Sequence, residues 1–144
     1  MAVGSRRTME DFGRDWVNED SPYLRGLVTP DLKLRNFNPA WEKILGYPHE
    51  MLLGKSLVRF IDQNEHAAAL TLVNERLDAI ENKPIEFSLR QKDGSYRCFA
   101  WERRPARGEE GMYIMGRDIT ERKKMETTAN LQQYLQSRKA KGSV

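Results

Sequence analysis

The sequence predicts one α+β domain: a five-stranded antiparallel sheet with short helices and one longer helix on one face, flanked by N- and C-terminal helices. Three observations carry this. Short segments that read as strands come as a pair near the start and a group of three near the end, with turn residues between neighbours. The stretch between them breaks into brief helical patterns divided by Gly46 and Gly54. Hairpins at both ends demand antiparallel pairing, which leaves the helical middle to cover one face.

Taking the elements in order, Thr8 followed by Asp11 makes a capping signature, and Met9, Phe12 and Trp16 recur at helical spacing. A short amphipathic helix is expected over about residues 9–18, with 1–21 forming an N-terminal cap. Tyr23–Val28 and Leu32–Phe37 read as strands joined at Thr29-Pro30-Asp31. Asn38-Pro39 then marks a helix start, the Asn side chain accepting from free backbone N–H groups. That helix carries Trp41, Ile44 and Leu45 and stops at Gly46; further helical turns follow over Pro48–Leu53 and Lys55–Ile61. Asp62 with Glu65 caps the longer helix, about residues 63–80, whose stripe is His66, Leu70, Val73, Leu77 and Ile80.

Ile85, Phe87 and Leu89 alternate with Glu86, Ser88 and Arg90, the pattern of a half-buried strand. The Lys92-Asp93-Gly94 turn leads to a return strand over Tyr96–Arg104. A two-residue loop would set Phe87 opposite Ala100 and Glu86 opposite Trp101. A three-residue loop with Gly94 left-handed sets Phe87 opposite Phe99 and Ile85 opposite Trp101, matching apolar with apolar, and is the register expected. After a loop over Pro105–Gly111 comes a last strand, Met112–Ile119, and then a polar helix from Thr120 toward residue 138. The strands' other side carries Tyr96, Cys98, Ala100, Tyr113 and Met115. Such a face wants a cover, from the N-terminal helix or from a second copy of the chain.

Composition bounds the function. Of the 144 residues, 39% are hydrophobic and 31% charged, a globular balance. No apolar run approaches the roughly 18 residues of a membrane span, and residues 1–12 lack the apolar core of a secretory signal. The single cysteine, Cys98, excludes an internal disulfide and any multi-cysteine metal site, so a cytoplasmic setting is expected. Net charge is +3, but residues 121–144 hold six basic residues against two acidic ones, a balance of +4 that leaves −1 for the rest. A near-neutral body with a basic, solvated tail is not a nucleic-acid surface.

Four motifs in order carry a family resemblance. They are Asn38-Pro39-Ala40-Trp41 leading to Leu45-Gly46-Tyr47, then Met51 through Leu57, then Gln91-Lys92-Asp93-Gly94-Ser95-Tyr96, and finally Gly116-Arg117-Asp118-Ile119-Thr120-Glu121-Arg122-Lys123. Over about residues 22–124 the chain resembles a PAS domain with its C-terminal PAC segment. The resemblance implies a sheet holding a pocket against the helices, inside sensor kinases, cyclases or transcription regulators. On this basis residues 22–120 are the sensory domain and 121–144 a signalling helix or linker to an output domain. The expected inner wall is Phe60, Ile61, His66, Leu70, Val73, Ile85, Phe87, Phe99, Trp101, Met112, Ile114 and Gly116. Asp118 and Thr120 stand where a strand ends and a helix begins. Their oxygens can accept from unpaired helix N–H groups and so couple strand to helix, a relay role that the resemblance implies.

No Ser-His-Asp or Cys-His arrangement, metal-ligand spacing or glycine-rich phosphate loop appears, which points to a regulatory rather than catalytic module. His66 is the one candidate heme ligand, since heme-binding relatives use a histidine on this helix. The helix is shorter ahead of His66 than in those relatives, and Phe87, Phe99 and Trp101 would occupy the porphyrin's place, so heme is not expected. Flavin photoreceptor relatives carry a reactive cysteine in an Asn-Cys-Arg motif on a middle helix. Gly54–Phe60 has none, and Cys98 lies on a strand as a small hydrophobe, so flavin is not expected either. A homodimer through the N-terminal helix and outer sheet face, a small-molecule ligand and an output domain are the expected partners.

Overall fold

The computed structural model of the chain describes residues 17, 21–73, 84–106 and 111–142. The N-terminal helix expected over 9–18, Val17 apart, and the Leu77 and Ile80 part of the longer helix lie outside the described residues. The sheet has five strands: β1 (Leu24–Val28), β2 (Leu34–Phe37), β3 (Ile85–Arg90), β4 (Tyr96–Pro105) and β5 (Met112–Asp118). They lie in the order β2-β1-β5-β4-β3, every neighbouring pair antiparallel. The two terminal hairpins therefore meet at the centre, where β1 pairs with β5.

Between the hairpins run α1 (Ala40–Leu45), α2 (His49–Leu52), a 3-10 turn over Leu57–Phe60, a second over Gln63–Glu65, then α3 (His66–Leu70) and a third 3-10 turn over Thr71–Val73. Gly46 ends α1 at φ 84°, where a side chain would be strained, so the glycine stop has a steric cause. The start of α1 departs from expectation. Asn38 donates nothing to it and accepts nothing from it through its side chain. Instead its Oδ1 accepts from Arg25 N–H at 3.0 Å and its Nδ2 donates to the Tyr23 carbonyl at 2.9 Å. Asn38 is buried, and two backbone groups on β1's flank outcompete the helix end for its amide.

The longer helix is also different. Asp62 Oδ1 accepts from Asn64 N–H at 2.9 Å, but Glu65 turns away from the cap and accepts from Ser88 N–H on β3 at 3.1 Å. The described part alternates between 3-10 and α geometry, and its buried residues are Ala69 and Leu72. Leu70 is 51% exposed and leaves the expected wall. The stripe was phased on uninterrupted α-helix; the 3-10 turns rewind it by a residue.

The β3–β4 hairpin adopts the apolar-matched register, with Ile85 opposite Trp101 and Phe87 opposite Phe99. Gly94 takes φ 91° in its three-residue loop. The helical layer grips this hairpin: Lys92 N–H donates to the Leu45 carbonyl at 2.8 Å, Gln91 Nε2 to the Ile44 carbonyl at 2.7 Å and Tyr47 Oη to the Arg90 carbonyl at 3.0 Å. After β5, α4 spans Thr120–Gly142, longer than the helix expected to residue 138.

Candidate functional site

Alternation along the strands turns Leu24, Val28, Phe87, Leu89, Phe99, Trp101, Met112 and Ile114 to the helical layer, and they form one core with Trp41, Phe60 and Ile61. Val73 and Ile85 pack against it, partly buried. Trp101 is its centre. The indole stacks on Phe87 at 5.0 Å and 13°, and meets Phe99 at 5.5 Å and Trp41 at 5.9 Å. Its Nε1–H donates to the Phe87 carbonyl at 3.3 Å, so no polar atom is stranded. Gly116, opposite Trp101 on β5, makes the arrangement possible: a Cβ there would lie 2.7–2.9 Å from the indole carbons. Trp41 belongs to this wall although its sequence position on α1 singled it out only as an apolar helix residue; its Nε1–H donates to the Arg25 carbonyl at 2.9 Å.

His66 is half-buried, with Nε2 3.1 Å from the Ile61 carbonyl, which already takes up that nitrogen. Among the described residues no three His, Cys, Asp or Glu side chains gather as a metal-holding group. Burial pushes the Cys98 thiol above its ordinary range, which keeps it protonated and weakly reactive. A surface depression of about 250 Å³ lies at the β3 edge, lined by Asp62, Asn64, Glu65, Ser88 and Tyr96, none of them wall residues.

The second half of the site is the exit from the sheet. Asp118 Oδ1 accepts from Thr120 N–H at 2.9 Å, the first N–H of α4, and from the Thr120 hydroxyl at 2.6 Å. The other carboxylate oxygen pairs with Arg97 Nε on β4. Thr120 does not cap the helix as expected. Its Oγ1 faces back to the sheet and accepts from Cys98 N–H at 3.0 Å, while Ile119 N–H donates to the Cys98 carbonyl at 2.8 Å. Thr120 is buried. Burial alone would raise the Asp118 carboxyl, but the Thr120 and Arg97 hydrogen bonds outweigh it and hold the group below its ordinary range.

Beyond Lys123 none of the described residues of the sheet or helical layer covers α4. Every side chain from Lys124 to Arg138 is exposed, including Met125, Leu131, Tyr134 and Leu135. Sequence reading named Asp118 and Thr120 but missed Arg97, the Cys98 backbone, and Glu86 on β3, which pairs with Lys123 and Arg122. Alternation marks Glu86 and Arg97 only as polar strand positions; their partners are set by which strands neighbour each other.

The outer face of the sheet carries a small second cluster, Val17, Leu27, Ala106 and Tyr113, with Met115 against it. Val17 is fully buried there, so the one described residue of the segment expected as the N-terminal helix reaches this face.

The architecture is thus a helix-capped antiparallel sheet whose last strand is tethered to a projecting helix. The chain belongs to the PAS fold family: the model of the PAS fold matches residues 27–119. Among solved structures, a sensory box histidine kinase/response regulator from Burkholderia thailandensis superposes with TM-score 0.62 at 18% identity, covering 81% of this chain and 91% of that one. The PAS domain of a Colwellia psychrerythraea protein gives 0.60 at 19% identity, over 70% and 89%. The PAS domain of the Cronobacter turicensis RpfR quorum-sensing receptor, in complex with BDSF, gives 0.57 at 17%, over 71% and 98%. At these identities the likeness is one of fold. No curated protein matches the sequence.

Proposed function

We propose that this PAS domain relays a small-molecule or partner signal to an output domain, such as a histidine kinase or diguanylate cyclase, through α4. The observation that carries this reading is the exit. The polar contacts of Asp118 and Thr120 with β4 hold the start of a helix that is exposed from Lys124 onward. A helix so polar owes its order to its anchorage, because isolated helices are marginal in water. A change in the sheet thus reaches α4 through its first turn. Asp118→Ala with Thr120→Ala removes the tether at a cost of about 1 kcal/mol, the scale of a lost cap. The sheet should stay folded while amides over residues 121–138 lose protection from hydrogen exchange, and a fusion to an output domain should lose its coupling. Identical exchange in parent and variant would overturn the relay.

The stacked wall around Trp101 supports a second reading, a dimerisation scaffold with no resident ligand. Native mass spectrometry of gently purified protein decides between the two: a bound small molecule favours the sensor. We read the domain as carrying neither heme nor flavin, because His66 Nε2 is engaged by Ile61 and the aromatics occupy the inner face. A Soret band lost on His66→Ala would refute this.

We read the physiological form as a cytoplasmic homodimer joined through the N-terminal segment and outer sheet face. Among the described residues no helix is long and apolar enough to cross a membrane. Sedimentation of Phe12→Asp, Trp16→Asp protein should show more monomer than the parent; a parent already monomeric would end the proposal.

A further inference from the structure

The exit motif attaches α4 to β5 through Asp118 and to β4 through Arg97 and Cys98. A second attachment reaches a different strand. Glu86, on the edge strand β3, takes Lys123 Nζ on one carboxylate oxygen at 2.6 Å and Arg122 Nη2 on the other at 3.0 Å. One turn on, Glu126 stands 3.6 Å from Arg122 and 3.8 Å from Lys123, so two carboxylates and two cations alternate. The hydrogen bond from Lys123 holds the Glu86 carboxyl below its ordinary range, and Glu86 in turn raises the Lys123 ammonium.

β3 is also held from the helical layer. Glu65, just ahead of α3, accepts from Ser88 N–H at the sheet's open edge. Ser88 sits opposite Cys98, whose N–H donates to Thr120. The edge strand therefore lies between two carboxylate contacts, Glu65 facing the helices and Glu86 facing α4. A helix pinned only at its first residue can pivot. A second contact, one turn along and on another strand, defines its direction.

We propose that Glu86 is a positioning residue, a charged clasp on β3 that sets the angle at which α4 leaves the sheet and links that angle to the edge strand and the helical layer. The proposal rests on the relay reading and adds a second input to it. Asp118 and Thr120 keep the first turn of α4 attached; Glu86 decides where the remaining length points. Displacement of β3 past β4 then tilts α4 rather than releasing it.

Residual dipolar couplings of the full chain's backbone amides report the orientation of α4 against the sheet. In Glu86→Gln, and to a lesser degree in Lys123→Gln, which leaves Arg122 on Glu86, couplings over residues 121–138 should shrink while those of the sheet stay unchanged. Exchange over residues 121–127 should rise ~two- to fivefold, the scale of exposed ion pairs. High salt should do the same to the parent and nothing further to Glu86→Gln, which has neither pair left to screen. The double variant should match Glu86→Gln, since that single change already removes both of the carboxylate's ion pairs. Should couplings be unchanged in Glu86→Gln at low salt, yet altered in Asp118→Ala with Thr120→Ala, the clasp is wrong and the relay stands. If neither variant alters α4, both readings fail.

Discussion

Trp101 in the sheet and Thr120 at the exit from it are both buried, yet they are held in opposite ways. Trp101 is fixed by three aromatic neighbours and a glycine that leaves room for its ring, contacts that are apolar and dense. Thr120 is fixed by directed hydrogen bonds to Asp118 and Cys98, with solvent and a bare helix beginning one turn away. Removing a piece of the first region leaves a cavity that the whole domain feels. Removing a piece of the second costs a bond or two and is felt locally. A sensor needs both: a sheet stiff enough to register a change, and an exit loose enough to respond to it.

The comparison can be broken most strongly at the wall. Trp101→Ala should lower unfolding free energy by about 3–5 kcal/mol, read from denaturant titration. A loss near that of the exit variant would mean the wall is not what holds the domain. Leu72→Ala should cost about 2–5 kcal/mol, because Leu72, not Leu70, is the fully buried leucine of the stretch from His66 to Val73. Filling the wall instead of emptying it gives a smaller effect: Gly116→Ala drives a Cβ into the Trp101 ring, and overpacking of this kind costs about 1–3 kcal/mol.

Acid sharpens the contrast, since only the exit depends on ionised groups. The Asp118 and Glu86 carboxyls are depressed when folded, so their contribution is complete above the ordinary carboxylate range of about 4 and fades as pH falls through their lower folded values. Acidification below pH ~4 should therefore unfasten α4 before the sheet melts. Amide protection over residues 121–126, corrected for intrinsic exchange, should fall ahead of that of β4. Loss of both together would make exit and wall one cooperative unit. The smallest effect expected is that of Leu70→Ala, within about 0.5 kcal/mol, as for other exposed positions.

Some of this was legible without coordinates because it is encoded locally. The β3–β4 register followed from a three-residue loop and two-residue alternation, both properties of contiguous sequence. Gly46 marked a helix stop and Gly94 a left-handed turn position for the same reason. Asp118 and Thr120 could be placed at the strand–helix junction, since Thr120 follows the last apolar residue of the β5 pattern.

The tertiary structure decided what distant partners compete for. Asn38 looks like a helix cap until β1 arrives beside it with two backbone groups to satisfy; Glu65 looks like half of a capping box until Ser88 offers an edge N–H. Leu70 loses its place because 3-10 turns rephase the helix, and such turns depend on what the segment packs against. Glu86, Arg97 and Thr120 find their partners only once β4 lies between β3 and β5. Sequence determined which residues are apolar, which turns are tight and where elements begin, because those depend on near neighbours. Which polar group answers which was left to the fold, because a hydrogen-bonding side chain takes the best partner within reach, and reach is a property of three dimensions.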